Sequence, residues 1–450
     1  MNCLSYSIRC FLLLSFCTLC ICCKPSEEDL LKDLSTDQIA IVQALNKAIA
    51  PIQDADPERD FSELAPLDTA LANAQVVGMG EGTHGTREFF QMKDRLFRYL
   101  VQKHGFQAIA FEANFGRSVI VNRYIHGQTT NLSTAAQAAK SMYFWTWSTD
   151  EVRELLQWMK DYNTGKPASQ QLSFYGFDCQ YADDEFPLIR EFFYKVEPGL
   201  VSKVDTTANL YTLTTKSTAT DSVRAQYTQR LPGLYNLFIT NESQWVSAGG
   251  RTDYEIARQA ARVLIQQANI IAGDACNATI KRDMYMAENV QWLLTRMNTG
   301  KLSLWAHNYH ISTLTYGNCS QPSMGGYLKQ KLKDKYLTVC TLLTNGTFTV
   351  RDASKSDTPL TQLSVHTADV KTSYNYLLGK AQYPNFIFKV NQSGLAPSLT
   401  SWLGANHPLF ETGSGFNESR AEQYYSIAAL TGRFDILIHF RDTSQSQLLP

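Results

Sequence analysis

Apolar and polar positions follow two rhythms along this chain. Residues 24–75 are polar and helical in pattern. EEDLLKDL is followed by STDQIAIVQALNKAI, where Ser35 or Thr36 is placed to cap the helix, and then by Pro51, Pro57 and Pro66. From residue 74 short apolar runs take turns with longer amphipathic ones. AQVVGMG (74–80) predicts a strand. TREFFQMKDRLFRYLVQKHG (86–105) places apolar side chains at 89, 92, 96, 97 and 100, a helical spacing that stops at Gly105. FQAIAFEA (106–113) predicts a second strand, 148–165 a helix, and LSFYGFD (172–178) a third strand.

Between about 183 and 300 the strand rhythm ceases. A polar, Thr-rich stretch (205–222) lies among helical patterns that include 254–273 and 282–300. Arg282 and Asp283 are expected to open the second of these, which ends at Gly300. A helical insertion, forming a lid or subdomain, is predicted, and it is expected to supply the walls of any pocket. KLSLWAHN (301–308), KYLTVCTLL (335–343) and FDILIHF (434–440) return to strands. Strand–helix–strand alternation predicts an α/β fold with a largely parallel central sheet flanked by helices.

Composition adds little to this and charge excludes something. Of the 450 residues, 44% are hydrophobic and 18% charged, which suits a globular protein with a large core. A net charge of -1 argues against nucleic acid or an anionic membrane surface as a partner. Six cysteines crowd the first 23 residues; Cys179, Cys276, Cys319 and Cys340 are scattered, with no pair spaced for a zinc ribbon, and their spacing leaves any disulfide among them open. Arg9 precedes an apolar run of 14 residues, CFLLLSFCTLCICC, against the ~20 needed to cross a bilayer. Residues 1–23 therefore read as an export signal, either plain or of the lipoprotein kind with Cys22 or Cys23 lipidated. The domain expected at 24–450 then lies in the periplasm or is lipid-anchored in the bacterial envelope, with that anchor its one membrane contact.

Ionisable residues fall where the strand candidates end: Glu81, Glu112, Asp178 and His307. In open α/β sheets ligands bind at that rim. GEGTHG (80–85) joins a strand to a helix, and its glycines are expected to take positive φ or to let a ligand approach the backbone. Taken alone, it is also an ordinary polar turn with Glu81 capping the helix. It lacks the spacing of a phosphate-binding loop or dinucleotide fingerprint. A buried Glu112 needs a partner, and if it neighbours Glu81 a cation between them; His84, Lys93, Arg95 and Arg282 are candidates. His307 and His310 in WAHNYH share one face on a helix and oppose each other on a strand, and either can serve packing alone. Two His and two Glu can hold a divalent metal, but no HExxH appears, and the same residues activate water without one. No metal and no cofactor is expected. A GxSxG elbow is absent, and GSGF at 413–416 does not supply it.

GEGTHGTREFF, FEAN, RDMYMAENV and WAHNYH, in that order, resemble the erythromycin esterase family, and LSFYGFD and FDILIHF extend the likeness over about 76–440. The resemblance implies an α/β core with a helical subdomain and hydrolysis of carboxylic esters, in characterised members the lactone of macrolide antibiotics; other members carry a succinoglycan-biosynthesis label. It implies His84 as the base that activates water, Glu81 and Glu112 as site carboxylates, and His307 and Arg282 as the working residues of the AHN and RD motifs. Lys93 stands where some members have Arg; it keeps the charge and lacks the planar fork. Lys93 and His310 are expected against a small-molecule ester or lactone substrate. His307, Arg282 or Lys93 then stabilises the oxyanion or protonates the leaving alkoxide. The rivals are a metal-dependent hydrolase using His84, Glu112 and His307, and a non-catalytic exported binding protein of the same fold.

Overall fold

The computed structural model describes residues 26–128, 130–272, 275–297, 300–314 and 321–450. The expected export segment with Cys22 and Cys23, Cys319 and the side chain of Cys276 lie outside that description. Cys179 and Cys340 are buried free thiols. No helix among the described residues is long and apolar enough to cross a membrane.

The described strands are β1 (Ala50–Pro51), β2 (Val76–Glu81), β3 (Ala108–Asn114), β4 (Ser173–Asp178), β5 (Leu302–His307), β6 (Tyr336–Asp352), β7 (Leu360–His366), β8 (Asn385–Lys389), β9 (His407–Phe410), β10 (Gly415–Phe416), β11 (Tyr425–Ala428) and β12 (Ile436–Thr443). One sheet runs β1-β8-β12-β6-β2-β5-β3-β4, with β7 and β10 also paired to β6. From β12 to β4 every neighbour is parallel. Antiparallel β8, β1 and β7 lie outside that run. The largely parallel sheet is the one predicted. Its central strands read as unbroken apolar runs because both faces are covered: every residue of β2, β3 and β5 is buried. Trp305 packs into one face's core with Phe90, Phe111 and Trp147, while Leu302, Leu304 and Ala306 of the same strand enter the other.

The helix Arg87–His104 follows β2 and ends where expected. Gly105 takes φ 71° and its N–H bonds the Leu100 carbonyl, a left-handed cap that a side chain would strain.

The helical insertion has its own core, in which Phe192, Phe193, Phe238, Trp245 and Tyr254 pack together. It joins the α/β body through Phe115 and Val119 of the helix Phe115–Ile125. Two boundaries differ from expectation. Much of the Thr-rich stretch is helix, Val201–Thr214, where Thr206, Thr207 and Thr212 donate their hydroxyls to carbonyls one turn back. The last helix begins at Ala275, so Arg282 and Asp283 sit in its interior and do not open it. Tertiary partners, described below, pair both charges, Arg282 with Asp178 and Glu112 and Asp283 through one oxygen with His310, so neither needs a helix end.

Candidate active site

β2, β5, β3 and β4 are neighbours and finish at one edge. Glu81 and His307 close β2 and β5 and are level across the ladder. Glu112 lies near the end of β3, and Asp178 closes β4. The four strand-end residues thus meet at one rim, as the sequence suggested. β5 separates β2 from β3, so Glu81 and Glu112 are not ladder neighbours. Each carboxylate has its own cation.

Glu81 is fully buried. It does not cap the helix. One oxygen lies 2.9 Å from His84 Nδ1, and the other pairs with Lys93 Nζ. Lys93 reaches this point from two turns into the helix Arg87–His104. It also donates to the Ala306 carbonyl at 3.1 Å and lies 4.9 Å from the Trp305 ring centre. Burial pushes the Lys93 ammonium well below the usual lysine range. Lys93 was expected against substrate; it is 1% exposed and sits behind Glu81. Arg95 serves elsewhere, bonding Glu63 and the carbonyls of Asp54 and Asp60.

His84 is half-buried, with 15% of its side chain open. Burial, then the neighbouring His307, pushes its pKa down to about 3, so the ring is neutral at physiological pH. With Glu81 accepting at Nδ1, the proton sits there and the Nε2 lone pair is free.

Arg282 is the centre of a second group. Its Nε and Nη2 donate to the two oxygens of Asp178 at 3.0 and 2.9 Å, and Nη2 also reaches Glu112 Oε1 at 2.6 Å. Burial disfavours the guanidinium charge, but Asp178 and Glu112 outweigh it and raise the pKa well above the ordinary arginine value. Glu112 Oε2 accepts the backbone N–H of His307 at 3.1 Å. Burial opposes the charge of Glu112, yet His310 and Arg282 hold its carboxyl well below the usual range. His310 Nδ1 is 2.7 Å from Asp283 Oδ1, and its Nε2 lies 3.3 Å from Glu112 Oε1 and 3.0 Å from Arg282 Nη1. Burial again disfavours charge, but the carboxylates of Glu112 and Asp283 prevail and push His310 up to about 10. An imidazolium donates from both nitrogens, so the Arg282 contact is an approach of two cations held together by the carboxylates around them.

A turn makes WAHNYH work. His307 ends β5 and caps the short helix Asn308–Ile311, its Nδ1 accepting the Tyr309 N–H at 3.2 Å. This turn points His310 toward Glu112. His307 itself lies beneath His84, the two rings edge to face with centres 5.1 Å apart. Burial and then the charge of His310 push His307 down to about 4. Its Nε2 is buried and meets no acceptor at normal hydrogen-bond geometry.

The glycines of GEGTHG do something other than expected. None of the three has positive φ. A Cβ on Gly80 would lie 2.2 Å from Asn308 Oδ1, and one on Gly85 1.9 Å from the Thr349 carbonyl. They let the motif press against the rest of the chain, Gly80 against the Asn308 side chain and Gly85 against the Thr349 backbone.

A cavity of about 520 Å³ opens over these groups. His84, Glu112, Arg282 and His310 line it; Glu81, Lys93 and His307 are absent from its lining and support it from below. Its walls include Tyr143, Phe144, Trp145 and Tyr181, with Arg351 and Gly413 from the C-terminal part. Among the described lining residues Arg282 alone comes from the insertion, so the expectation of helical walls is corrected. A larger cleft of about 710 Å³, bordered by Asp60, Tyr99 and Lys103, is lined by no histidine. Among the described residues no three of His, Cys, Asp and Glu converge as metal ligands, so the set His84, Glu112 and His307 does not meet around one point. The sequence reading missed Asp283 as the partner of His310 and Asp178 as the partner of Arg282. It also passed over four aromatics in the five residues YFWTW (143–147), a signal that was visible.

Fold and site together define an α/β protein with a histidine–carboxylate group and an arginine–carboxylate group at the carboxyl edge of a parallel sheet. The family model described as erythromycin esterase matches residues 101–443, and the chain belongs to that family. The matched span begins after Glu81, His84 and Lys93. The chain is 23% identical to erythromycin esterase type II of Escherichia coli over 436 residues, covering 89% of this chain and 97% of the relative. It is 25% identical to the putative hydrolase YbfO of Bacillus subtilis, covering 76% and 79%. The crystal structure of a succinoglycan biosynthesis protein superposes with a TM-score of 0.79 at 25% identity, covering 92% of this chain and all of that one. A mutant of the erythromycin esterase EreC in its open conformation shares the fold, with a TM-score of 0.67 at 18% identity and coverage of 88% and 98%.

Proposed function

We propose that this protein hydrolyses carboxylic esters by attack of a water that His84 activates. The observation that carries this reading is the state of His84: neutral, tied through Nδ1 to Glu81, with Nε2 free beside the cavity. Nε2 takes a proton from water as its oxygen attacks the ester carbonyl carbon. Glu81 holds the ring's tautomer and orientation and supports the imidazolium that forms, as the carboxylate does in a triad. Charge developing on the carbonyl oxygen faces Arg282 and His310, fixed positive groups already in place where it forms. The carbon–oxygen bond then breaks, and protonated His310 gives the leaving alkoxide its proton. Glu112 and Asp178 position Arg282; Asp283 positions His310; Lys93 and His307 brace Glu81 and His84 from below.

Macrolide lactones are the substrate class we assign, on the strength of relatives named as erythromycin esterases. Incubation with erythromycin followed by mass spectrometry tests this: the product gains the mass of one water. An unchanged erythromycin mass removes the macrolide assignment, and inertness toward a panel of simple esters as well removes the hydrolase. We also infer export through residues 1–23. N-terminal sequencing and labelled-lipid incorporation test cleavage and acylation at Cys22 or Cys23.

A further inference from the structure

The aromatic segment beside the cavity is built with more care than a wall needs. Its inner end, Trp147, is buried against Phe111, with ring centres 4.9 Å apart. Thr146 donates to the carbonyl of His84 at 2.8 Å, tying the segment to the candidate base. Its outer end is Tyr143, 47% exposed, with φ at 67°. A bulky residue in the left-handed region is strained and persists only where its surroundings impose it. Here they do. Tyr143 Oη accepts from Arg117 at 2.9 Å and donates to Asp184 at 2.7 Å. Arg117 in turn holds Asp184 through two hydrogen bonds, at 2.9 and 2.8 Å. Phe144 packs on Tyr181, ring centres 5.6 Å apart, and Tyr181 is itself 45% exposed. Two large aromatic faces are thus kept in water at the opening of one cavity, one of them against a backbone preference.

Each ring is backed on one side, Tyr143 by the Arg117 guanidinium 5.1 Å from its centre and Tyr181 by Phe144; about half of each side chain stays open, and both line the cavity that holds His84. Exposed apolar surface that is rigidly held beside a polar reaction centre has the form of a ligand-binding wall.

We propose that Tyr143 and Tyr181 form a specificity wall that packs on a ring or other broad apolar part of the ester, so that esters bearing such a group are preferred over small aliphatic ones. The proposal rests on the hydrolase reading above and names the substrate feature that the site selects. The backbone of Tyr143 keeps the ring at the opening, with the hydroxyl held by Arg117 and Asp184 and the Arg117 guanidinium against one side of the ring, so the exposed remainder of the ring is what a ligand meets.

The test compares methyl 3-phenylpropionate with methyl propionate, which share a leaving group. For each ester kcat/KM is measured in the wild type, in Tyr143→Asn and in Tyr181→Ala. Asn tolerates the left-handed backbone, so Tyr143→Asn removes the ring without adding strain. The ratio of kcat/KM for the phenyl ester over the small ester is expected to fall about 3- to 10-fold in each variant, the range that an aromatic contact supports. An unchanged ratio in the variants that fold overturns the proposal. A second arm titrates 4-phenylbutan-2-one, the ketone analogue of the phenyl ester, against the fluorescence of the chain's tryptophans. If no ester is turned over, the hydrolase reading fails, while a several-fold loss of ketone affinity in the variants still upholds the wall. Equal affinity in wild type and variants overturns it.

Discussion

His84 and Glu81 lie three residues apart in the chain, and their side chains meet at 2.9 Å above a buried lysine. Strand β2 delivers Glu81 to the sheet edge, and the tight turn behind it brings the imidazole back over the carboxylate. If His84 is the base, His84→Ala lowers kcat by about 10²- to 10⁴-fold, the usual worth of general-base catalysis. Glu81→Gln frees the tautomer and is expected to cost at least about 10²-fold by the same logic. Steady-state kinetics beside circular dichroism check both. Wild-type rates from a folded His84→Ala protein rule out the role.

His310 makes the pH dependence specific. Its pKa is about 10 in the folded protein, against 6.5 when unperturbed. Between these values the folded state binds the proton that the unfolded state has lost, so stability falls as pH rises through the window. Below 6.5 the contribution is fully present; above about 10 it is gone. Wild type is therefore expected to lose denaturation midpoint between neutral pH and 10, and His310→Gln to lose much less over the same range. If His310 is also the proton donor, kcat declines as pH approaches 10, while the acid side stays flat down to the titration of His84 near 3 and His307 near 4, as far as the fold survives. A kcat profile that bends at neutral pH contradicts this assignment.

Arg282 bridges the insertion and the sheet, holding Asp178 at the end of β4 and Glu112 near the end of β3. Arg282→Ala leaves those two buried carboxylates without their shared cation. Breaking one side of a buried pair typically costs about 3–5 kcal/mol, and urea denaturation of Arg282→Ala is expected to show a loss of that order. Arg282→Lys restores charge but not the fork that spans both acids, so it is expected to recover only part of the loss. Full recovery in the lysine variant means that charge alone is required.

Much of this site was legible because a parallel sheet writes its rim into the sequence. Each buried strand is an apolar run, so the polar residue that ends the run marks the edge. Glu81, Glu112, Asp178 and His307 were found in that way. What stayed hidden depends on which elements pack together. Nothing within the helix Ala275–Leu294 indicates that Asp283 meets a histidine 27 residues later, or that Arg282 reaches an acid on β4. Lys93 shows the same limit from the other side. Its distance from Glu81 in the chain was plain, but only the helix's packing on the sheet decides whether its ammonium meets substrate or the underside of Glu81. The glycines were misread for a related reason: a close backbone neighbour such as Thr349 is far away in sequence.

Two glycines near His84 separate packing from access. Gly80 faces Asn308, and a Cβ there would lie 2.2 Å from its Oδ1 and 3.0 Å from its Cα. Asn308 cannot retreat freely, because its Nδ2 is bonded to the Thr341 carbonyl at 3.0 Å. Gly80→Ala must therefore displace the turn that carries His310, and overpacking of this kind costs about 1–3 kcal/mol. Gly413 is the opposite case. Its φ is not in the left-handed region, and an added Cβ meets nothing nearer than the His84 ring, 3.7 Å away at Cδ2 and Nε2. A Cβ there fits the fold, and the methyl groups of a valine built on it stand in front of the nitrogen that is to take the proton. Gly413→Val is expected to leave the denaturation midpoint nearly unchanged while kcat/KM falls by about 10-fold or more, since displacing a reacting group by an ångström can cost 10²-fold. Gly80→Ala is expected to lower both together. Thermal melts and kinetics on the pair distinguish the two effects, and a Gly413→Val enzyme with wild-type kcat/KM shows that water does not approach His84 from the Gly413 side.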